Sequence, residues 1–230
     1  MTGLELRGAR GRKNWTQEKL ADRLQVTQAY LSMMESGRRE VSYRLARKAA
    51  ELLEAPATTL PLREYGRAEN FAVQDFSSEL AALGYPGFAH FRRAARRRNP
   101  AELLLAVLTK GDVATRVVEG LPWLALTYAD LDWDWLVGRA KLADCQNRLG
   151  YVTGLAAECG DKRGEVPRAR RLKEYVAVLE RSRLAGEDTL CHDSLSRAER
   201  EWLREHRPAE ARHWNLLTDL KVEDLAYAKR

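Results

Sequence analysis

A chain of 230 residues with 45% hydrophobic content is long enough for two domains, or for one small module and a larger one. A net charge of +6 and a pI near 9.3 suit a polyanionic partner or an acidic membrane surface, but no apolar run approaches the length needed to span a bilayer. Three widely spaced cysteines, Cys145, Cys159 and Cys191, argue against a disulfide framework and a zinc site of paired cysteines, and the N-terminus lacks an apolar leader core, so the expected location is the cytoplasm.

Leu6, Arg7 and Arg10 belong to an opening helix. Thr16 has the side chain to cap a helix whose apolar positions Leu20, Ala21 and Leu24 recur at helical spacing. Gln25 and Val26 form a turn, and Thr27 caps a second short helix that Leu31 and Met34 keep on the core. Gln28, Ala29, Ser32 and Met33 are then left on the outward side, where short polar or small side chains can approach base edges in a DNA major groove. Gly37 stops this helix, and Arg38 and Arg39 follow in the loop where phosphates would pass. A further helix carries Leu45, Ala49, Leu52 and Leu53, and Leu60 closes the small core. Trp15 is expected either to staple against Leu20 or to lie on sugar-phosphate. Residues 1–60 hold eleven Lys and Arg against seven Asp and Glu, so +4 of the net +6 sits in this quarter of the chain.

The spacing Thr16-Gln17, Leu20-Ala21, Val26-Thr27, Leu31-Ser32 and Glu35-x-Gly37-x-Arg39, with its flanking helices, resembles the phage repressor and Cro type of helix-turn-helix, the Xre family, over residues 4–62. The resemblance implies a five-helix lambda-repressor-like domain in which Gln17 contacts DNA backbone and Thr27, Gln28, Ala29 and Ser32 contact backbone and bases. Gln28 can present both donor and acceptor to the N6/N7 edge of adenine, with Ser32 one helical turn further on. With Met33 on the same face and Arg38 and Arg39 in the loop, the candidate DNA-binding residues are Gln17, Thr27, Gln28, Ala29, Ser32, Met33, Arg38 and Arg39. Val41 departs from the family, which often has Pro there, and leaves the start of the fourth helix less fixed. A module of this kind can also serve only for docking or dimerisation.

Residues 55–70 hold two prolines, two threonines and a glycine with little periodicity. The expected organisation is all-α: a DNA-binding domain over 1–62, a linker over 63–73, and a larger helical domain for assembly, partner binding or sensing over 74–230. Breaks are expected at Gly84 to Gly87, Asn99-Pro100, Gly111, Gly120-Leu121-Pro122, Gly160 to Gly164 and Pro208, and Ser196 with Glu199 makes a capping box. Arg92, Arg93, Arg96, Arg97 and Arg98 share a helix with Phe88 and Phe91, as a solvated face or an extension of the phosphate footprint. Trp135, Gly138, Leu142, Cys145, Leu149, Val152, Ala156 and Cys159 alternate by three and four residues, a narrow stripe that requires a partner helix. Leu172, Tyr175, Val176 and Leu179 offer one within the chain; an interface between subunits is the alternative. Both readings make Cys145 and Cys159 small buried hydrophobes.

Asp130, Asp132 and Asp134 have the spacing of opening EF-hand ligands, but Trp135 stands where the loop requires Gly and Lys141 where it requires Glu. Asp132 and Asp134 are expected to cap a helix instead. Cys191, His192 and Asp193 are sequence neighbours, which point in different directions, unlike a catalytic trio. Arg200 with His206 and Arg207 with His213 resemble the Arg-to-His spacing of HEPN-type ribonucleases, with Glu201 and Pro208 in place of the residue usual after the Arg. No catalytic residue, cofactor or metal is expected.

The expected function is that of a sequence-specific DNA-binding transcriptional regulator, most simply a repressor that occludes a promoter as a homodimer on double-stranded, palindromic operator DNA. A narrower version is an antitoxin whose C-terminal domain also binds a cognate toxin. The alternatives are a helical ribonuclease-like enzyme with a DNA-binding head, and a small-molecule-gated regulator whose Trp123, Trp133 and Trp135 enclose a ligand.

Overall fold

The computed structural model describes residues 1–62, 75–91 and 97–229, and the chain divides into two compact units, Met1–Glu69 and Asn70–Arg230. The linker expected over 63–73, and Arg92, Arg93 and Arg96 of the basic run, lie outside the described residues.

In the first unit every α-helix starts where a side-chain oxygen takes up one of the N–H groups that the helix itself leaves unpaired. Thr2 opens α1 (Gly3–Arg12) in a capping box closed by Glu5. Thr16 opens α2 (Gln17–Leu24), Thr27 opens α3 (Gln28–Glu35), and Ser42 opens α4 (Tyr43–Leu52). The fifth element is a single 3-10 turn, Ala57–Thr59. Pro56 and Pro61 bracket it, and Pro61 holds Leu60 out of the helical region. The core is Leu6, Leu20, Leu24, Leu31, Met34, Ala46 and Ala49, closed by Leu60. Leu45 and Leu52 are only half-buried, because Ala46, Ala49 and Ala50 are the face that α4 turns inward.

The second unit is also helical. Its elements are α5 (Phe76–Ala82), α6 (Pro100–Leu108), α7 (Thr115–Thr127), α8 (Trp133–Leu142), α9 (Gln146–Lys162), α10 (Val166–Glu180), α11 (Arg197–His206) and α12 (Ala209–His213). A two-residue parallel ladder joins β1 (Asp188–Thr189) to β2 (Leu216–Leu217). The expected capping at Ser196–Glu199 is present, and Asp132 caps α8 by accepting from the Trp135 N–H at 3.0 Å.

At the centre of this unit is α9, buried along nearly its whole length and packed on α7, α8 and α10. With α10 it forms the hairpin expected from Leu172 and Leu179, both of which are fully buried. The heptad stripe, however, is not one seam. Asp144 takes a left-handed φ of 51° and separates α8 from α9. The register is thereby lost: α8 buries Trp133, Leu136, Val137 and Ala140 instead, and Leu142 is 72% exposed. A second correction concerns Gly120-Leu121-Pro122, which lies inside α7. All three residues are buried there, and packing on every side outweighs the hydrogen bond that Pro122 cannot donate. A third concerns Phe88, expected on a helix with the arginines: it is buried on a kinked 3-10 segment, Pro86–Phe91. Of the basic run, Arg97 is exposed and Arg98 reaches Glu79 at 3.3 Å.

The first turn of α9 is polar yet buried, and buried polar groups are costly unless each is paired. Asn147 gives its amide to the carbonyls of Leu184 and Trp214, both at 2.9 Å, and accepts from the Leu184 N–H at 2.8 Å. Arg148 clasps Asp188 at 2.6 and 2.7 Å and gives Nη1 to the carbonyls of Leu108 and Lys110. Burial opposes the charge on Arg148, but the hydrogen bond to Asp188 and the charges around it, Asp188 and Asp193 among them, more than offset it and its pKa is raised. The irregular backbone around β1 and β2 is therefore anchored through α9.

Two substitutions on the expected stripe should behave in opposite ways. Leu149 is fully buried, so Leu149→Asp places a carboxylate in the core and should abolish the cooperative unfolding transition of the second unit. Leu142→Asp should leave the unfolding free energy within about 0.5 kcal/mol of wild type. Circular dichroism in urea reads both, and equal damage from the two changes contradicts the break at Asp144.

Candidate nucleic-acid interface

Two short helices at the surface create this site, and the turn between them is set by backbone geometry. Gln25 ends α2 in the left-handed region at φ 62°, a conformation more often given to Gly. The Val26 N–H then closes on Ala21 O at 3.0 Å. Thr27 accepts from the Tyr30 N–H at 3.2 Å, and its hydroxyl proton stays available for an acceptor outside the protein. At the far end Gly37 takes φ +73°, so the chain folds back and the Arg39 N–H reaches Met33 O at 3.2 Å.

What fixes α3 is a buried carboxylate. Glu35, its last residue, is 4% exposed. Arg10 of α1 donates to it from Nε at 2.6 Å and Nη2 at 2.9 Å, and Gln17 of α2 donates from Nε2 at 2.9 Å. Arg10 also gives Nη1 to Trp15 O at 2.7 Å. Burial alone would raise the Glu35 pKa. The hydrogen bonds from Arg10 and Gln17, with the charges of Arg10 and Arg7, outweigh burial and hold it below the ordinary value. Gly3 adds a steric constraint, since a Cβ there would strike the Met34 carbonyl, so α1 lies against the end of α3 as only glycine permits.

Thr27, Gln28, Ala29, Ser32, Met33, Arg38 and Arg39 are all exposed. Gln17 differs from the other candidates: it is half-buried with its amide on Glu35. One amide hydrogen and its main-chain N–H, at the first position of α2, lie outside those bonds. Around the face two cations rest on aromatic rings. Arg39 lies 4.8 Å from the centre of the Tyr30 ring and Lys19 lies 4.8 Å from that of Trp15, contacts that hold long side chains in place. Tyr30 and Lys19 are absent from the residues inferred from sequence: the Arg39–Tyr30 contact crosses the turn after α3, which no local pattern announces, whereas Lys19 stands four residues from Trp15 and its contact is local. The inward position of Glu35 was open to detection, because it stands at the helical spacing of buried Leu31, but its partner Arg10 was not.

The remaining candidates meet partners of their own. Cys191 is buried and directs its thiol at Val107 O, and burial pushes its pKa up to about 12. His192 is exposed, and Asp193 accepts from Arg148 and Thr189. Arg200 donates to the carbonyls of Asp193 and Leu195, while His206 stacks on Trp202. Arg207 donates to Leu216 O, and His213 faces Glu180 at 2.7 Å. Trp133 stacks on Tyr175, whereas Trp123 packs with Tyr85 and Tyr128. Cys145 and Cys159 are buried as expected. Among the described residues no helix is long and apolar enough to cross a membrane.

Comparison with known proteins agrees with this geometry. Residues 6–60 match the family model described as helix-turn-helix, and the first unit is a helix-turn-helix domain of the Xre/Cro type. No curated protein and no solved structure matches the chain. At this level the protein is a DNA-binding transcriptional regulator.

Removing the cation from Arg10, as in Arg10→Met, leaves the Glu35 carboxylate buried without its main partner and should cost ~3 kcal/mol, read as an earlier first transition in urea. The acid limit follows from the same pair. A pKa lowered on folding contributes stability that is complete above the unfolded value, 4.5 for a glutamate, and is lost as pH falls through the lower folded value. Glu35→Gln should therefore be less stable at neutral pH and lose less stability than wild type between pH 4.5 and more acidic conditions. Parallel pH profiles for the two proteins count against the pairing.

Proposed function

We propose that the chain is a sequence-specific repressor that lays α3 in the major groove of its operator and occludes a promoter. The observation that carries the reading is the exposed, uncharged face Gln28, Ala29, Ser32 and Met33 with Arg38 and Arg39 in the loop beside it. In this arrangement Gln28 meets the N6/N7 edge of adenine and Ser32 an adjoining edge, while Gln17, Thr27, Arg38 and Arg39 hold backbone. One small module covers little DNA, so the proposal includes a homodimer on a palindrome with half-sites about 34 Å apart or a multiple of that distance. Assembly is assigned to the second unit, which exposes Val166 and Trp202, apolar groups suited to a protein partner. If that partner is a co-encoded toxin, the protein is an antitoxin as well as a repressor. Catalysis has no part in the proposal.

Selection of bound DNA from a random pool tests the reading directly, and failure to enrich any sequence sinks it. On the enriched operator, Gln28→Ala should cost ~1–3 kcal/mol and leave binding to random DNA nearly unchanged, because a base contact is lost without loss of charge. Arg38→Ala and Arg39→Ala should instead weaken binding to all sequences and reduce the slope of log affinity against log salt by about one unit each. An unchanged slope in both places the loop away from DNA.

A further inference from the structure

We propose that Ala29 and Met33 read thymine methyl groups, so that each operator half-site carries thymine opposite the centre of α3. The inference rests on the groove placement proposed above and extends it to the identity of the bases.

Leu31, Met34 and Glu35 are the buried residues of α3 and define its inward side. With 3.6 residues per turn, Ala29 and Met33 fall on the opposite side, one turn apart at the middle of the outward face. Gln28 and Ser32 lie on one flank. Tyr30, carrying the Arg39 guanidinium at 4.8 Å, lies on the other. The centre of the face is therefore apolar and both its edges are polar. Met33 is 37% exposed although it is a large apolar side chain, and its main chain is held: its carbonyl accepts from the Arg39 N–H at 3.2 Å and the Ser36 hydroxyl at 3.1 Å.

Neither Ala29 nor Met33 has a side-chain donor. Over a guanine, adenine or cytosine edge such a strip would cover polar groups without pairing them, which is unfavourable. In the major groove thymine alone among the four bases presents a methyl group, and burying it against Ala29 and Met33 removes apolar surface from water on both sides. The short Ala29 permits close approach, and the flexible thioether of Met33 adapts to the methyl it meets.

The test uses the full-length protein and the operator it selects from a random pool. Each thymine of a half-site is replaced in turn by deoxyuridine, which deletes the methyl and retains the base pair. At one or two positions wild type should bind roughly three- to tenfold more weakly. Met33→Ser should bind the thymine operator more weakly and lose the distinction between thymine and deoxyuridine at its position, whereas Met33→Leu should keep it. The proposal is overturned if deoxyuridine is tolerated at every thymine, if Met33→Ser responds to it as wild type does, or if the operator half-site lacks thymine. Failure of the groove placement has a different signature: no sequence is enriched, or Gln28→Ala binds the operator as wild type does.

Discussion

The Glu35 carboxylate is the constraint on which the outward geometry of the first unit depends. It sits at the C-terminal end of α3, where the helix dipole disfavours negative charge, and it is buried. Both effects would expel it without Arg10 and Gln17, which come from α1 and α2. One acidic group thus ties three helices together and forbids α3 to turn about its own axis. A rotation by a single residue, about 100°, in either sense would carry Ala29 and Met33 off the centre of the exposed face. Gly3 acts in the same sense, by letting α1 approach the Met34 carbonyl. Gln17 therefore serves the domain from within as well as at its surface, since the same amide that braces Glu35 lies at the start of a helix facing solvent.

In the second unit Arg148 plays a comparable part. Buried ion pairs seldom add much net stability, because desolvation consumes most of their attraction; their value here is geometric. Asp188 and the carbonyls of Leu108 and Lys110 receive Arg148 from separate segments, so only one arrangement of those segments satisfies the guanidinium. An apolar replacement would remove that requirement. The body of α9 supplies the burial, and its first turn supplies the specificity.

How much of this was legible in the sequence depends on the range of the interaction. Thr16, Thr27, Ser196 and Asp132 cap the helices they were expected to cap, because capping is decided within three residues. The outward position of Gln28, Ala29, Ser32 and Met33 follows from the period of one helix. Arg10 with Glu35 and Arg148 with Asp188 join residues far apart in sequence, and no period encodes them. The stripe from Trp135 to Cys159 misled for a related reason: a count of threes and fours continues through Asp144, but the backbone does not. Gly120 and Pro122 misled in the opposite direction, since their weak helix propensity is overruled by neighbours on all sides of α7.

The charge on the first unit is arranged so that attraction and reading fall to different side chains. Within α3 the only charged residue is Glu35, and it faces inward. The cations stand around the helix: Arg38 and Arg39 beyond its end, and Lys19 on α2 over Trp15. In the proposed complex, every cation meets phosphate, beside the neutral Gln17 and Thr27, and base edges meet only neutral groups. Counterion release then sets how tightly any DNA is held and how steeply that affinity falls with salt. Discrimination among sequences is left to an amide, a hydroxyl, a methyl and a thioether, none of which exchanges a counterion on binding. The preference for operator over random DNA should accordingly vary much less with ionic strength than either affinity does, provided both DNAs engage the same cations.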